Sequence, residues 1–174
     1  MSKKLKKTFL EQLQATAKKL GGVHSYDSLI KITDGEAVYT NGFILIKGKV
    51  DSGVYENGVY RAIDMTNLGH NHYPNYSGFF SERTDIGYHI YEVIETAKLV
   101  KPYDKTTTTI GITAGGLITT EKQEGFEGSV NLVYANIAIS LGLARCTRGK
   151  DKMYRFHSDD YSITMITPEL KATK

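Results

Sequence analysis

Residues 29–50 alternate between apolar and polar side chains, and two turn dipeptides, Asp34-Gly35 and Asn41-Gly42, interrupt the alternation. A period of two places the apolar side chains on one face of a β-strand. Asp-Gly and Asn-Gly favour the tight turns of β-hairpins, because both residue types tolerate a positive φ. This stretch therefore predicts three short antiparallel strands, and the glycine-punctuated segment 54–63 predicts a further strand.

Helical periods flank this meander. Apolar residues of segment 8–20 recur every three or four positions and Gly21 follows, so a helix with one apolar face is predicted there. Two further helices are predicted over 88–100 and 134–146. Strands are predicted at 106–109, 117–120, near 132, at 153–156 and at 161–166. Strands grouped between helices, without strict alternation, indicate an α+β fold with antiparallel sheets.

The composition excludes several classes of protein. The chain has 174 residues, of which 40% are hydrophobic and 24% charged, as expected for a globular protein with one large or two small cores. The single cysteine, Cys146, excludes an internal disulfide and fits a reducing cytosol. No apolar run approaches the roughly 18 residues that a membrane span requires, so a cytoplasmic protein without membrane partners is expected.

The formal net charge is only +3, so nucleic acid would have to bind at local patches. Basic residues cluster at Lys3, Lys4, Lys6 and Lys7, and again at Arg145, Arg148, Lys150 and Lys152. Solvated helix ends or a frayed terminus are the alternative explanation for these clusters.

Catalytic signatures are absent from the sequence. It lacks the motifs of phosphate loops, serine hydrolases and zinc proteases, so we expect no enzyme, no cofactor and no metal. His70 and His72 share one side of an extended segment, but no third ligand has suitable spacing. Asp159-Asp160 has the composition of a hairpin turn. A metal-dependent hydrolase using His70, His72 and Asp159 remains an alternative.

Segment 73–80, Tyr-Pro-Asn-Tyr-Ser-Gly-Phe-Phe, followed by the amphipathic run 88–100, resembles the hinge between two domains of bacterial and phage DNA sliding clamps. Segment 36–45 is similar to the strand-turn-strand that clamps write as Ala-Thr-Asp-Gly-x-x-Leu. Segment 163–168 resembles their closing strand. Weaker similarities lie at 9–13, 109–112, 117–120 and 131–135.

The resemblance implies a DNA-clamp-like α+β fold, with helices packed on antiparallel sheets. A bacterial clamp subunit has three similar domains and two subunits close the ring, whereas this chain has room for about one and a half domains. Residues 1–63 would form a partial lobe, 64–87 a hinge, and 88–174 a terminal domain with two helices. The chain departs from the family at Asn41, where clamps have Asp, and at Ile44, near their usual Arg.

The resemblance also implies two sites. Non-specific contacts to DNA phosphates would come from Lys7, Lys18, Arg145 and Arg148. In clamps, a peptide of a replication protein inserts apolar side chains into a pocket between the middle and last domains. The matching positions are Thr40, Gly42, Ile44, Leu45, Phe79, Phe80, Met165, Ile166 and Pro168. Filling of the core between two sheets is the alternative role for these pocket positions.

The implied function is that of a non-catalytic processivity factor of a phage or prophage. It would bind double-stranded DNA, a peptide of a replication partner, or both, as a homo-oligomer. The alternative is a phage-encoded inhibitor or decoy that captures a host protein without encircling DNA. An incomplete first domain favours this alternative, because it would leave strand edges unpaired.

Overall fold

The structure is a computed structural model of the 174-residue chain, and it divides into two compact units, residues 1–75 and 76–174. The described residues are 7–22, 24–51, 53–80, 89–92, 99, 101–102, 105–113, 118–119, 126–143, 145–149 and 151–170. No helix among them is long and apolar enough to cross a membrane.

The described strands of the first unit form an antiparallel sheet in the order β4-β1-β2-β3. Their bounds are β1 (Leu29–Thr33), β2 (Glu36–Thr40), β3 (Leu45–Lys49) and β4 (Gly58–Arg61). Asp34 and Gly35 form the first turn with φ of 50° and 77°, and Gly42 has a φ of 86° in the second connection. The predicted meander and its further strand are therefore confirmed.

The outer edge of β4 is hydrogen-bonded to the segment that follows it. The Val59 amide donates to the Gly69 carbonyl at 2.9 Å, and the Leu68 amide donates to the Val59 carbonyl at 2.8 Å. The expectation of open strand edges in the first unit is therefore wrong for β4, because residues 66–69 take up its backbone groups.

Helix α1 (Phe9–Leu20) packs its buried Leu10, Leu13 and Ala17 against β2 and β3. Its start is fixed by a capping box between Thr8 and Glu11. The Thr8 hydroxyl accepts from the Glu11 amide at 3.2 Å, and the Glu11 carboxylate accepts from the Thr8 amide at 2.7 Å. Two otherwise unpaired backbone donors are thereby satisfied, which confirms the predicted helix.

The second unit contains two antiparallel arrays. Its described strands are β5 (His89–Glu92), β6 (Thr109–Thr113), β7 (Ile118–Thr119), β8 (Phe126–Asn131), β9 (Arg145–Arg148), β10 (Met153–His157) and β11 (Ile163–Pro168). One array has the order β11-β10-β9-β5 and the other β7-β6-β8. The short helix α2 (Ser77–Phe80) opens this unit, and α3 (Leu132–Ser140) packs on β6 and β8.

The second unit has its own buried core. Tyr154, Phe156 and Met165 have 0% exposure on β10 and β11, and the predicted closing hairpin is confirmed. Ala135 and Ala138 of α3 are also fully buried. The small alanine side chains let the helix lie close to its sheet.

The helix predicted over 88–100 is wrong at His89–Glu92, which is strand β5. Its backbone pairs antiparallel with β9, with Ile90 opposite Thr147. Pairing with a neighbouring strand has overridden the local helical period, and Ile and Tyr are strong strand formers. Of the two helices predicted for 88–174, the structure describes α3, while residues 93–98 lie outside the described residues.

The last predicted helix, 134–146, is displaced. The Asn131 side chain accepts a hydrogen bond from the Val133 amide at 2.8 Å, so α3 begins two residues earlier. Gly142, with a φ of 72°, follows its end. Residues 145–148 are then free of the helix and form β9.

Candidate functional site

Two predicted DNA contacts, Lys7 and Lys18, lie in one groove of the first unit. The groove, here called the α1 groove, has a volume of about 280 Å³. It is lined by Lys7, Glu11, Gln14, Ala15, Lys18, Ala62 and Ile63. The Gln14 side chain donates to the Ala62 carbonyl at 2.8 Å, which fixes the turn after β4 against the helix. The exposed lysines are thus held on one rigid surface.

The other two predicted DNA contacts, Arg145 and Arg148, point to opposite faces of their sheet. They are three residues apart on β9, and successive side chains of a strand alternate between faces. Arg148 lies opposite Tyr154, a fully buried residue, whereas Arg145 lies opposite His157. The two guanidinium groups therefore do not form one cationic patch.

Both arginines have partners within the second unit. Arg148 makes a bidentate ion pair with Glu169, with nitrogen–oxygen distances of 2.8–3.2 Å. Arg145 lies 3.8 Å from the Asp159 carboxylate and 5.7 Å from the centre of the Tyr161 ring. The side chain of Arg148 is the less exposed, at 28% against 48% for Arg145. Arg145 is therefore the better placed of the two to meet a ligand.

The β2–β3 connection of the first unit carries four predicted peptide contacts. Thr40, Ile44 and Leu45 are buried, and Gly42 is exposed. Phe43, which the sequence interpretation missed, is 62% exposed. The period of two in the sequence places Phe43 and Leu45 on the same face of a strand. Phe43 instead lies in the turn, whose residues do not follow the strand period.

Side-chain caps hold this turn in place. The Asn41 carboxamide oxygen accepts from the amides of Phe43 at 3.1 Å and Ile44 at 3.0 Å. The Thr40 hydroxyl accepts from the Gly42 amide at 3.1 Å. Asn41 therefore does locally what an aspartate does in such turns, because both present a side-chain oxygen to the following amides.

An aromatic pair lies beside the same turn. The rings of His24 and Tyr26 stack with centroids 5.1 Å apart and an interplanar angle of 12°. A Cβ at Gly42 would lie 3.2 Å from the Tyr26 hydroxyl and 3.8 Å from the His24 ring, so the glycine lets the turn approach the pair closely. His24, Tyr26, Gly42 and Phe43 are here called the turn surface. No motif in the sequence indicated His24 or Tyr26.

The remaining predicted peptide contacts lie in the second unit. Met165 and Ile166 are buried on β11, at 0% and 3% exposure, as the core alternative predicts. Pro168 is half-buried at the end of that strand. Phe79 of α2 is 45% exposed, whereas Phe80 packs edge-to-face on Tyr76 at 6.2 Å. Phe79 is thus the exposed predicted position of this unit, and Phe80 and Pro168 are half-buried.

The predicted turn at Asp159-Asp160 is confirmed. The Asp160 carboxylate accepts from the Ser162 hydroxyl and the Ser158 hydroxyl at 2.7 Å each, and from the Ser162 amide at 3.0 Å. These hydrogen bonds, those from Ser162 first, lower the pKa of Asp160 to about 2. The Asp160 carboxylate therefore stabilises the turn, and near neutral pH it is ionised and has no proton to donate.

The described side chains of His70, His72 and His157 bear on the alternative metal site. His70 and His72 are exposed, and in the described part of the chain no group of three or more His, Cys, Asp or Glu side chains is placed to hold a metal ion. His157 contacts the Thr164 hydroxyl at 3.0 Å, and burial followed by the nearby Arg155 charge lowers its pKa. The metal-dependent hydrolase therefore has no site in these residues.

Comparison with known proteins identifies the architecture. No protein-family model matches the sequence, and no curated protein matches it. The structure of the DNA polymerase III subunit beta from Pseudomonas aeruginosa is similar with a TM-score of 0.54 at 10% identity, over 92% of this chain and 63% of that one. The DNA polymerase sliding clamp from Bacillus subtilis gives 0.55 at 11% identity, over 94% and 62%. This chain thus spans less than two thirds of either relative, and over most of its own length it has the α+β fold of a DNA sliding clamp.

Proposed function

We propose that this protein is a non-catalytic, sliding-clamp-like factor of DNA replication that binds double-stranded DNA without sequence preference. The observation that carries the proposal is the clamp likeness over 92–94% of the chain. The absence of known catalytic motifs from the sequence supports a binding role.

The α1 groove supplies the DNA contacts in this proposal. Lys18 on α1 and Lys7, just before the helix cap, line the same groove, and long cationic side chains reach phosphates without reading bases. Arg145 adds a third exposed cation from the second unit. Each neutralised phosphate releases counterions, so binding should weaken as the salt concentration rises, and so few charges should give weak binding with a shallow salt dependence.

A replication-protein peptide is the second proposed partner. Phe43 and the His24–Tyr26 pair of the turn surface offer aromatic area, and Phe79 and Pro168 offer accessible apolar area in the second unit. Aromatic side chains lose little conformational entropy on binding, so they suit recognition of a short apolar peptide. Thr40, Ile44, Leu45, Met165 and Ile166 would support this surface from the core.

A decoy that captures a protein without encircling DNA is the second candidate. One observation favours it: α3 has no charged residue in Leu132–Ser140, so this helix brings no cation to a DNA-facing surface. The ion pair between Arg148 and Glu169 also favours the decoy, because it occupies one of the predicted DNA contacts. A phage or prophage source remains part of both proposals.

The deciding experiment is light scattering after size exclusion, with closed-circular and linear DNA of equal length at low salt. A clamp is expected to assemble into a closed oligomer, to remain on circular DNA and to slide off linear ends. The Lys7→Ala/Lys18→Ala variant should lose DNA, whereas Lys19→Ala, on the same helix but outside the α1 groove, should retain it. A monomer that ignores both DNAs would remove the clamp function and favour the decoy.

A further inference from the structure

The α1 groove has an apolar wall that contact with phosphates does not require. Ile63 is 73% exposed, the highest value among the exposed large hydrophobic side chains described, and it lines the groove beside Ala62 and Ala15. Phosphate contacts need only cations and hydrogen-bond donors. The groove thus combines an apolar wall with charged side chains, and this combination fits a ligand that has both an apolar and a charged part.

The groove also contains three charged residues. Glu11, Gln14, Ala15 and Lys18 belong to the helix face that lines the groove, and Lys7 lies just before the N-cap of the helix. The Glu11 carboxylate accepts from the Thr8 amide at 2.7 Å, so it also serves the helix N-terminus. The two lysines give the groove an excess of positive charge at its ends.

The spacing of the lysines sets the length of the ligand. From Phe9 to Lys18 the helix rises about 14 Å, at about 1.5 Å per residue, and Lys7 lies just before its N-cap. An extended peptide covers about 3.3 Å per residue, and its residues i, i+2 and i+4 share one face, so positions i and i+4 lie about 13 Å apart. Two carboxylates at i and i+4 would reach the long lysine side chains, with an apolar side chain at i+2 facing Ile63.

We propose that the α1 groove binds an acidic peptide segment of a partner protein, with carboxylates at Lys7 and Lys18 and an apolar side chain packed on Ile63. Gln14 holds the Ala62 carbonyl, so the wall that carries Ile63 is already in place before binding. The site differs from the turn surface in both its elements and its chemistry. It uses the lysines proposed for DNA, so peptide and DNA compete for it.

The test is an NMR titration of the ¹⁵N-labelled full chain at low salt with the peptide Asp-Ser-Leu-Ser-Asp. Chemical-shift changes are expected at residues 7–18 and 62–63. Replacing the peptide leucine by serine, or both aspartates by asparagine, should abolish them. Lys7→Ala/Lys18→Ala and Ile63→Ser should each weaken binding about tenfold, while the matched Lys19→Ala should not.

A duplex DNA titration separates this proposal from the clamp function. If Ile63→Ser weakens peptide binding and leaves DNA binding unchanged, the groove has both ligands and the proposal stands. Peptide binding without DNA binding also supports it and removes the DNA function. DNA binding with no response to the acidic peptide, or equal shifts with the serine and leucine peptides, overturns it.

Discussion

Phe9 of α1 occupies the space that a side chain on Gly48 of β3 would need. A Cβ at Gly48 would lie 2.5 Å from the Phe9 ring, closer than side-chain carbons approach. The helix therefore lies directly on the backbone of β3. The sequence shows Gly48 only as one of 17 glycines, and its role could not be predicted without the position of the ring.

We expect Gly48→Ala to destabilise the first unit by about 1–3 kcal/mol, because the added methyl group forces the helix away from the sheet. Urea unfolding followed by circular dichroism measures this change. Gly53→Ala is the matched control, since a Cβ there meets nothing within 4 Å. Equal stability of the two variants would contradict close packing at Gly48.

Asp160 makes an acid-dependent contribution to the β10–β11 turn. Its pKa is lowered from 3.8 to about 2, so the folded state holds the charged form more tightly than the unfolded state. The stability it contributes is therefore present above pH 4 and is lost as the pH falls towards 2. In Asp160→Asn, stability should vary less between these pH values than in the parent protein. A carboxyl titration by NMR with a midpoint near 4 would exclude the hydrogen-bonded turn.

At the scale of elements, the sequence was most informative where local signals and tertiary pairing agree. The turn dipeptides of β1–β3 and the apolar period of α1 are local signals, and both elements were predicted from them, whereas the capping box of α1 was found only in the structure. Segment 88–100 has a helical period, yet His89–Glu92 pairs with β9. That partner lies more than fifty residues away, so no local pattern could indicate it.

The ion pair of Arg148 and Glu169 joins β9 to the residue after β11 and gives the next prediction. Both side chains are largely shielded, at 28% and 13% exposure. Glu169→Ala should cost about 1–3 kcal/mol, because it leaves the guanidinium without its carboxylate. Arg145→Ala, in an exposed pair 3.8 Å from Asp159, should change the stability by less than about 1 kcal/mol. The stability of both variants is measured by thermal unfolding. If they lose comparable stability, burial does not set the strength of these ion pairs.

For the whole molecule, scattered motifs were enough to predict the clamp fold at only 10–11% identity. The fold depends on where turns and apolar faces recur, and many sequences satisfy those conditions. The candidate site was less predictable. Lys7 and Lys18 share the α1 groove, but Arg145 and Arg148 diverge because residues 145–148 form a strand instead of a helix end.

The relatives' lengths set the size of the proposed ring. The clamp resemblance implies three domains in each of two subunits, and this chain spans 62–63% of each similar clamp. A closed ring of similar circumference would then need more than two copies. Light scattering on circular DNA should give a mass above that of two 19.4 kDa chains. A dimer on circular DNA would mean that the ring closes with fewer domains.

Chemical labelling of the buried Cys146 thiol on β9 can report on the opening of the second unit. Cys146 is 1% exposed, and burial raises its pKa, so a thiol reagent in solution meets neither an accessible sulfur nor a thiolate. It is the only cysteine of the chain, and the first unit contains none. The rate at which a thiol reagent labels Cys146 therefore measures the local unfolding of residues 76–174 alone, without any engineered probe. Comparing it with global unfolding would show whether the two units open together or one at a time.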